Sequence, residues 1–517
     1  MRTKYSVINM LVSVGGQIPN LILAFAARAV FVRCLSAEYL GVNGLFSNLL
    51  SVLSLAELGI GSAMCYSLYG PLAKGEEDEL RRLMNLYRVL YRIVAGTVLC
   101  GGLLMFPFLD VLIRNQPDID GLEIIYLMYL LNSVCSYLLC YKQTIIMADQ
   151  KAYINSAWTQ VFQIVKSLGQ IVILLTTGSF IAYLTVQIVC SVMTNLVLAQ
   201  KADSMYPYLR QEQKELPSRK VRRELFKNIG AMFFHKVGSV LVMNTDNLII
   251  SAFIGLVEVG VYSNYLMVLN HLKTLSSYIY GAFTAGIGNL YALEDSGTVY
   301  RTYRALFFLM YLIFGYCSAA LFVLFNPFIR WCFGTSYILP LRTVSLIVLN
   351  FYVWGMRQIT LKFRDGKGLY WHDRYKPFFE VVINLGVSMF LAPRYGIDGV
   401  VAGTILSSLL TNFWVEPYVL MRYGIKEQWK QRLMEYFRRY GIFSVLAVAA
   451  AMVCYWICSF LPEGGFFLLI LKGICMTCVY GVIVLPLTCR TEEFRMLFSR
   501  GKQIFMGLSG KRDRGRG

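Results

Sequence analysis

The stretch KADSMYPYLRQEQKELPSRKVRRELFK, residues 201–227, interrupts a chain that is otherwise almost continuously apolar. Its basic side chains are Lys201, Arg210, Lys214, Arg219, Lys220, Arg222, Arg223 and Lys227. About six long apolar segments precede it and about eight follow it, and the later segments repeat features of the earlier ones. The pattern therefore predicts a basic linker between two related membrane-embedded halves.

The composition indicates a polytopic all-α membrane protein. Hydrophobic residues make up 57% of the 517 residues and charged residues 15%, whereas soluble domains carry roughly 25% charged residues. Segments of about 20 mostly apolar residues, long enough to cross a bilayer, recur from end to end. The predicted spans, about fourteen in number, are 7–33, 39–69, 86–113, 120–147, 152–176, 180–200, 226–254, 258–290, 303–326, 338–362, 374–392, 397–421, 440–461 and 466–488.

The formal net charge is +19, and the basic residues are distributed among the loops as is typical of a membrane protein. Lys and Arg are concentrated in the loops after even-numbered spans and nearly absent from the loops after odd-numbered spans. The positive-inside rule then puts both termini in the cytosol, and the basic balance does not indicate a nucleic-acid partner. Residues 70–92 mix charges with Leu, Met and Tyr at helical spacing, which predicts an amphipathic cytosolic helix that leads into the third span.

An internal repeat relates the first six spans to spans seven to twelve. A shift of 219 residues sets Gly41 on Gly260, and a shift of 215 sets Lys142 on Arg357. An even number of spans per repeat implies the same orientation, and thus a parallel repeat. The predicted organisation is an N-terminal six-helix lobe (1–200), the linker (201–227), a C-terminal six-helix lobe (228–421), two additional transmembrane helices (422–490) and a basic cytosolic tail (491–517).

Ionisable side chains at membrane depth are costly and usually face an interior or a water-filled cavity. Those predicted to have a cavity role are Arg28, Glu57, Lys166, Asp246 and Arg357. Lys142, Asn350 and Trp354 are further candidates for substrate contact, and Glu57 and Asp246 are the candidates for ion coupling.

Other polar side chains in the spans have plainer interpretations. Side chains at span ends can snorkel to the interface, which is the interpretation for Arg33, Lys362, Arg364 and Glu416. Interhelical hydrogen bonds can hold a bundle together, and for Asn43, Asn384 and Asn412 this role and a cavity role both remain open.

Signatures of catalysis are missing from the sequence. There is no G-x-x-x-x-G-K-[ST] phosphate loop and no paired Cys/His metal pattern. The pair Cys475 and Cys478 lies inside an apolar segment with no second pair. Transport without a cofactor or metal therefore fits the sequence better than enzyme chemistry.

Two stretches carry a resemblance to a known family. They are residues 2–76, with E-Y-L-G-x-x-G-L-F at 38–46, and residues 363–420, with D-R-Y-K-P at 373–377. The chain resembles the bacterial oligosaccharide (O-antigen-type) flippases, the polysaccharide transporter family of the multidrug/oligosaccharidyl-lipid/polysaccharide (MOP) exporter superfamily. The resemblance extends over about residues 2–490.

The resemblance implies a MATE-like bundle of two six-helix lobes that opens alternately to each side of the bacterial cytoplasmic membrane. The implied cargo is an undecaprenyl-pyrophosphate-linked oligosaccharide for capsule, exopolysaccharide or cell-wall glycan export. Arg28, Lys166 and Arg357 suit a cationic cavity, because Arg can bind phosphate through two nitrogens and Lys acts as a point charge. Membrane lipids, H⁺ or Na⁺ as coupling ion, and other glycan-assembly membrane proteins are the implied partners.

Two alternative functions remain open at the level of sequence. A MATE-like drug/cation antiporter would need an anionic cavity, and the excess of basic residues at membrane depth counts against it. A membrane glycan polymerase would need long outer loops with acidic catalytic residues, whereas the predicted outer loops at 34–38, 114–119, 177–180 and 393–396 are short.

Overall fold

A computed structural model describes residues 15–57, 60–109, 119, 121–149, 151–210, 215–281, 283, 287, 290–291, 293–462 and 464–499. The side chains of residues 231–244 are not described. The start of the first predicted span, linker residues 211–214 and tail residues 500–517 therefore lie outside the described residues.

The described chain is helical, as the composition predicts. The helices are α1 (Gln17–Cys34), α2 (Ala37–Leu53), α3 (Ile60–Lys74), α4 (Glu77–Met105), α5 (Leu122–Leu138), α6 (Tyr141–Ala148), α7 (Ala152–Thr177), α8 (Phe180–Met205), α9 (Arg219–Phe253), α10 (Leu256–Gly281), α11 (Ser296–Phe333), α12 (Leu341–Met356), α13 (Gln358–Lys367), α14 (Lys376–Tyr395), α15 (Ile397–Leu410), α16 (Asn412–Val419), α17 (Trp429–Ser459) and α18 (Gly465–Thr488). Each predicted span falls on one of these helices or on a broken pair. In the described residues, 8 helical segments are long and apolar enough to cross a membrane, or 9 if the bent pair of α5 and α6 is one span. The prediction of a polytopic all-α membrane protein is confirmed.

Several spans that hydropathy treats as continuous are broken helices. Span two contains the 3₁₀ turn Ser54–Glu57 between α2 and α3. Span four bends by 46° between α5 and α6. Span ten breaks at Arg357, and span twelve breaks at Thr411 before ending in the π-helical turn Leu420–Ile425. Lys142 and Arg357, which the 215-residue shift aligns, each lie within two residues of a helix break.

A helix that leads into the third span is confirmed over residues 77–92, whereas residues 70–76 belong to the end of α3 and to the turn that follows it. Gly75 has a φ of +70°, a left-handed conformation that ends α3 and that side chains with a Cβ rarely adopt. Residues 77–92 are the polar first half of α4, which continues without interruption into its apolar half. The acidic residues in its first turn, Glu77, Asp78 and Glu79, are stabilised by the positive end of the helix dipole.

The contacts divide the chain into two compact units, Met1–Ser263 and Asn264–Gly517. In the first unit α7 packs on α1 and α8, α4 packs on α5, and α9 packs on α2. Its core includes a ring cluster in which Phe31 contacts Phe180 at 5.6 Å and Tyr183 at 5.2 Å between ring centroids. The predicted lobe boundary between residues 200 and 228 stays a prediction.

Two glycines that the repeat aligns lie against each other in the first unit. A Cβ on Gly41 of α2 would lie 2.0 Å from the carbonyl oxygen of Leu256, and a Cβ on Gly260 of α10 would lie 2.6 Å from the carbonyl oxygen of Ala37. The 219-residue shift that aligns Gly41 with Gly260 also aligns Ala37 with Leu256. The contact is therefore pseudo-symmetric, and only glycine lets the two backbones approach so closely.

In the second unit, α14 packs on α15, and α11 packs on α12, α17 and α18. The helices without a counterpart in the repeat, α17 and α18, thus pack on α11. Tyr311 of α11 stacks on Phe443 of α17 with a centroid distance of 4.5 Å. At one end of α11, Arg304 pairs with Glu493, and Arg439 contacts the same carboxylate at 2.8 Å.

Candidate functional site

Arg28 of α1 lies in the interior of the first unit among hydroxyl groups from other helices. Its guanidinium donates a hydrogen bond to Ser263 Oγ of α10. The hydroxyls of Tyr129 and Tyr183 lie close enough to interact with it electrostatically, and Tyr129 also donates to Asn43 Oδ1 of α2. The interhelical role of Asn43 is confirmed by this bond. Arg28 is thus held by hydroxyls from spans four, six and eight.

A polar stripe on α7 continues from this position. Gln170 interacts with Tyr183, the residue that also lies beside Arg28. Gln170 is 3% exposed, and its Nε2 has no hydrogen-bond acceptor among the described residues. Lys166 precedes Gln170 by four residues, which places both on one face of the helix. Lys166 is half-buried, and no carboxylate of the described chain lies within ion-pair distance of it. We call Arg28, Lys166 and Gln170 the donor stripe.

The two candidates for ion coupling are hydrogen-bonded to tyrosines. Glu57 lies in the 3₁₀ turn that breaks span two and accepts a hydrogen bond of 3.1 Å from Tyr91 Oη. Asp246 of α9 is 8% exposed and accepts a hydrogen bond of 3.4 Å from Tyr262 Oη. The two carboxylates thus have separate partners on α4 and α10.

Lys142 lies away from the donor stripe, at the break between α5 and α6. Its Nζ pairs with Asp203 of α8 at 2.5 Å. The next residue, Gln143, donates to Asn195 Oδ1 at 2.8 Å. Asn195 in turn donates to the carbonyl oxygen of Ser136 at 3.1 Å, one of the carbonyls that the helix break leaves without an intrahelical partner. Asn195 therefore satisfies the backbone where span four bends.

In the second unit, Arg357 is held by a buried carboxylate. It donates to Glu416 from Nη2 at 2.5 Å and from Nε at 3.1 Å, the two-nitrogen geometry that favours Arg–carboxylate pairs. Glu416 is fully buried, at 0% exposed, and Lys376 also donates to its Oε1. Glu380 lies 4.0 Å from Arg357 and accepts from Asn412. The interhelical role of Asn412 is thus confirmed.

The ion pairs of Arg357 extend into a larger network. Lys376 lies 3.7 Å from Asp373, Arg364 also pairs with Asp373, and Arg364 pairs with Asp365 at 2.8 Å. The cations of this charge network are Arg357, Arg364 and Lys376, and its carboxylates are Asp365, Asp373, Glu380 and Glu416. The four carboxylates exceed the three cations by one, so the network presents no excess positive charge.

The interpretation of Glu416 and Arg364 as snorkelling end residues is wrong. Glu416 is fully buried between two cations, and the Arg364 side chain is 12% exposed with its guanidinium directed to two carboxylates. Both follow a helix break, Arg364 after the break at Arg357 and Glu416 after the break at Thr411. Asn384, whose role remained open, donates to Thr404 Oγ1 of α15 at 2.9 Å, so its interhelical role is confirmed.

The remaining candidates lie on α12. Trp354 packs against Phe314 and Phe351, and Lys273 Nζ lies 5.1 Å from the centroid of its ring, within cation–π range. Asn350 is half-buried one turn earlier. Sequence reasoning did not single out Lys376, Asp373 or Tyr183, because each lies at a span end or reads as an ordinary core aromatic. The D-R-Y-K-P motif at 373–377, which contains the first two, was the available signal.

The described residues contain no group of three or more His, Cys, Asp or Glu side chains that could hold a metal ion. The 13 cysteines are all free thiols, including Cys475 and Cys478. The chemistry of the described interior is therefore that of buried cations, carboxylates and hydroxyls.

A scan against protein-family models matched none, and a search of curated proteins found no match. Solved structures do match. The lipid II flippase MurJ in an inward closed conformation gives a TM-score of 0.62 at 14% identity, over 92% of this chain and 98% of that chain. An inward-facing multidrug resistance MATE family transporter of the MOP superfamily gives 0.56 at 14% identity, over 83% and 99%.

A MOP superfamily transporter from Pyrococcus furiosus, described by the reverse polarity of its binding pocket, gives a TM-score of 0.54 at 14% identity, over 81% of this chain and 95% of that chain. The chain thus has the fold of the MOP superfamily transporters and is a multi-pass membrane protein. The expected resemblance is confirmed at the level of the fold.

Proposed function

We propose that the chain is a flippase that moves an undecaprenyl-pyrophosphate-linked oligosaccharide across the bacterial cytoplasmic membrane by alternating access. The fold supports a membrane transporter, and the flippase MurJ shares it over nearly its whole length. The observation that carries the cargo class is the donor stripe. Lys166 without a carboxylate partner and Gln170 with an unused buried donor are groups that an acceptor-rich ligand would satisfy.

A pyrophosphate and a glycan are such ligands. Both present oxygen acceptors, and the pyrophosphate is anionic, so its transfer through a bilayer needs compensating charge. Arg28 would exchange its hydroxyl partners for phosphate oxygens. Lys166, on the same face of α7 as Gln170, would supply a second cation. We assign Arg357 a structural role instead, because Glu416 already occupies two of its nitrogens.

The charge network gives no support to a drug/cation antiporter. Such a transporter needs carboxylates that can receive a cation, whereas Glu416 is engaged by Arg357 and Lys376. Glu57 and Asp246 remain our candidates for coupling to H⁺ or Na⁺. Short connections such as residues 35–36, 178–179 and Gly396 leave little chain for a catalytic domain at those positions.

The test is transport of a fluorescent undecaprenyl-pyrophosphate oligosaccharide in proteoliposomes, read by its accessibility to a quencher that does not cross the membrane. Lys166→Gln and Arg28→Gln should each slow transport by about tenfold or more, because each removes a charge-assisted contact. The matched control is Arg33→Gln, an exposed position on the same helix as Arg28. Wild-type rates for both variants, with normal insertion, would refute the proposed cargo site.

A further inference from the structure

A basic cleft in the first unit lies outside the donor stripe. It is a cavity of about 20 Å³ between α4, α6 and the 3₁₀ turn Pro207–Arg210. Its polar lining is Arg81, Asn85, Arg88, Tyr141 and Lys142. We call this the Arg88 cleft. The small volume favours a ligand that places a compact headgroup there while its remainder lies outside.

The geometry of α4 and α6 brings the polar side chains of the Arg88 cleft together. Arg81, Asn85 and Arg88 follow at intervals of four and three residues, so they share one face of α4. Tyr141 and Lys142 lie in the first turn of α6, immediately after the 46° bend from α5. The bend therefore turns the first residues of α6 toward α4. Arg88 Nε donates to Tyr141 Oη at 3.2 Å, which fixes the guanidinium at the mouth of the cleft.

Arg88 differs from the other two cations of the Arg88 cleft in its partners. Arg81 pairs with Asp78 at 2.7 Å, but the Asp78 side chain is 75% exposed, and exposed pairs contribute little. Lys142 pairs with Asp203. Arg88 has no carboxylate within ion-pair distance in the described chain, and its terminal nitrogens have no hydrogen-bond partner there. Among these three cations, Arg88 is the one whose terminal nitrogens are available to a ligand in the described chain.

The donors fit a phosphate. The free edge of a guanidinium can donate two parallel hydrogen bonds to phosphate oxygens. The Asn85 side chain, which makes no hydrogen bond in the described chain, can supply a third donor. The lysine adds a point charge at the opposite wall.

The depth of the Arg88 cleft fits a lipid headgroup. Residues 77–92 form the polar half of α4, and beyond Arg88 the helix exposes Val89, Ile93, Leu99 and Leu103 at 41–59%. Such an exposed apolar surface on a membrane helix faces lipid. The cleft therefore lies where polar chain gives way to apolar chain, the level at which lipid phosphates lie.

We propose that the Arg88 cleft binds a phosphate carried by a membrane lipid, at a site separate from the donor stripe. The lipid is either the polyprenyl pyrophosphate cargo, captured before entry, or a bulk anionic phospholipid. With the proposed orientation, the Arg88 cleft lies at the cytosolic leaflet, whereas its fit to a phosphate does not depend on that orientation.

The test uses the full-length protein in phosphatidylcholine nanodiscs, with bound lipids counted by native mass spectrometry. Three probes are titrated separately: geranylgeranyl pyrophosphate, phosphatidylglycerol and inorganic pyrophosphate. Arg88→Gln should weaken binding of the preferred lipid by about tenfold, the effect of one lost charge-assisted contact. The control is Arg92→Gln, an exposed position one turn further along α4, which should bind like the wild type.

The probes separate the outcomes. An Arg88-dependent loss for geranylgeranyl pyrophosphate identifies cargo as the source, and the same loss for phosphatidylglycerol identifies bulk lipid. If inorganic pyrophosphate binds as tightly as either lipid, or if Arg88→Gln binds all probes like the wild type, the proposal is overturned. Binding at equilibrium does not require transport. The proposed flippase function is tested separately, by transport with Lys166→Gln in proteoliposomes, so its failure can be told apart from failure of the Arg88 cleft proposal. Unchanged thermal melting of Arg88→Gln excludes unfolding as the cause of a loss.

Discussion

Arg357 and Glu416 form a buried ion pair to which we assign a structural role. Taking a carboxylate and a guanidinium out of water costs several kcal/mol each, and their attraction offsets this only while both remain. Glu416 has two cationic partners, Arg357 and Lys376, which it shares with Glu380 and Asp373. Loss of Arg357 would leave Lys376 as the cationic partner of Glu416 and would remove the cation that lies 4.0 Å from Glu380.

We expect Arg357→Ala to lower the free energy of unfolding by about 3 kcal/mol, near the lower end of the range for breaking a buried ion pair, because Lys376 remains. Adding Glu416→Gln should recover part of the loss, since the buried charge is then gone. Thermal melting in detergent measures both. Arg394→Ala, at an exposed position of α14, should melt like the wild type. A stable Arg357→Ala protein that fails only in transport would instead return Arg357 to the cargo site.

A second residue-scale prediction concerns pH. Burial by itself raises the pKa of the Glu493 carboxyl, but the hydrogen bond from Arg304 and the charges of Arg439 and Arg304 outweigh burial and lower this pKa below 4.5. A carboxyl with a lowered folded-state pKa stabilises the fold above its unfolded pKa, and this contribution is lost as the pH falls through the folded pKa. The melting temperature should therefore fall on acidification below about pH 4.5.

Glu493→Gln should reduce that acid-side decline while lowering the melting temperature at neutral pH. The measurement is a series of melting curves between pH 3 and 7. The comparison variant is Glu492→Gln, whose side chain is 60% exposed and should contribute little. An acid-side decline of the same size in Glu493→Gln and the wild type would contradict the assignment.

Among the elements, α2 and α10 make the closest backbone approach of the first unit that we describe. Their contact uses repeat-related residues on both sides, with Gly41 against Leu256 and Gly260 against Ala37. In such pseudo-symmetric packing each helix has the same requirement for a small residue. The broken spans are the second feature of this scale, because Asn195 satisfies a backbone carbonyl that a continuous helix would not expose.

We expect Gly41→Ala to separate α2 from α10, since its Cβ would lie 2.0 Å from a backbone oxygen that cannot rotate away. Transport should fall by about tenfold or more, while insertion remains normal. Gly96→Ala is the control, because a Cβ there meets nothing within 4 Å. Proteoliposome transport and membrane yield measure the two effects. Transport at the wild-type rate would show that this approach is not needed in the cycle.

At the scale of the whole molecule, the distribution of Lys and Arg sets the proposed orientation. The basic loops and the linker lie together on one side if the spans alternate, and anionic lipids and the insertion machinery favour that side being cytosolic. Gln211 of the linker and Asp118 of a short loop lie outside the described residues, but they belong to loops on opposite predicted sides.

In a variant without cysteines, single cysteines placed by Gln211→Cys and Asp118→Cys should react from opposite sides. An impermeant maleimide added to intact cells should label position 118 and not position 211. Detergent-permeabilised cells, in which both positions should react, are the control. Labelling of both positions in intact cells would overturn the proposed topology.

The sequence alone determined the class of protein, a polytopic all-α membrane protein, and it predicted the spans and the repeat. Hydropathy is a sum over neighbouring residues, so a stretch such as 303–326 is predicted as a membrane span without knowledge of its partners. The alignment of Gly41 with Gly260 was likewise visible in the sequence, and so were Arg28 and Lys166 as unusual charges in apolar surroundings.

Only the tertiary structure decided which charges are satisfied. Arg357 and Glu416 are 59 residues apart. Their pairing depends on how α12 and α16 are rotated about their axes and on the helix breaks in both spans. A hydropathy window does not detect these breaks, because it averages over neighbouring residues. The same averaging hid Gly75 as the end of α3 and made Glu416 resemble a span-end residue. Lys166 and Arg357 look alike in the sequence, and they differ because one helix face meets a carboxylate and the other does not.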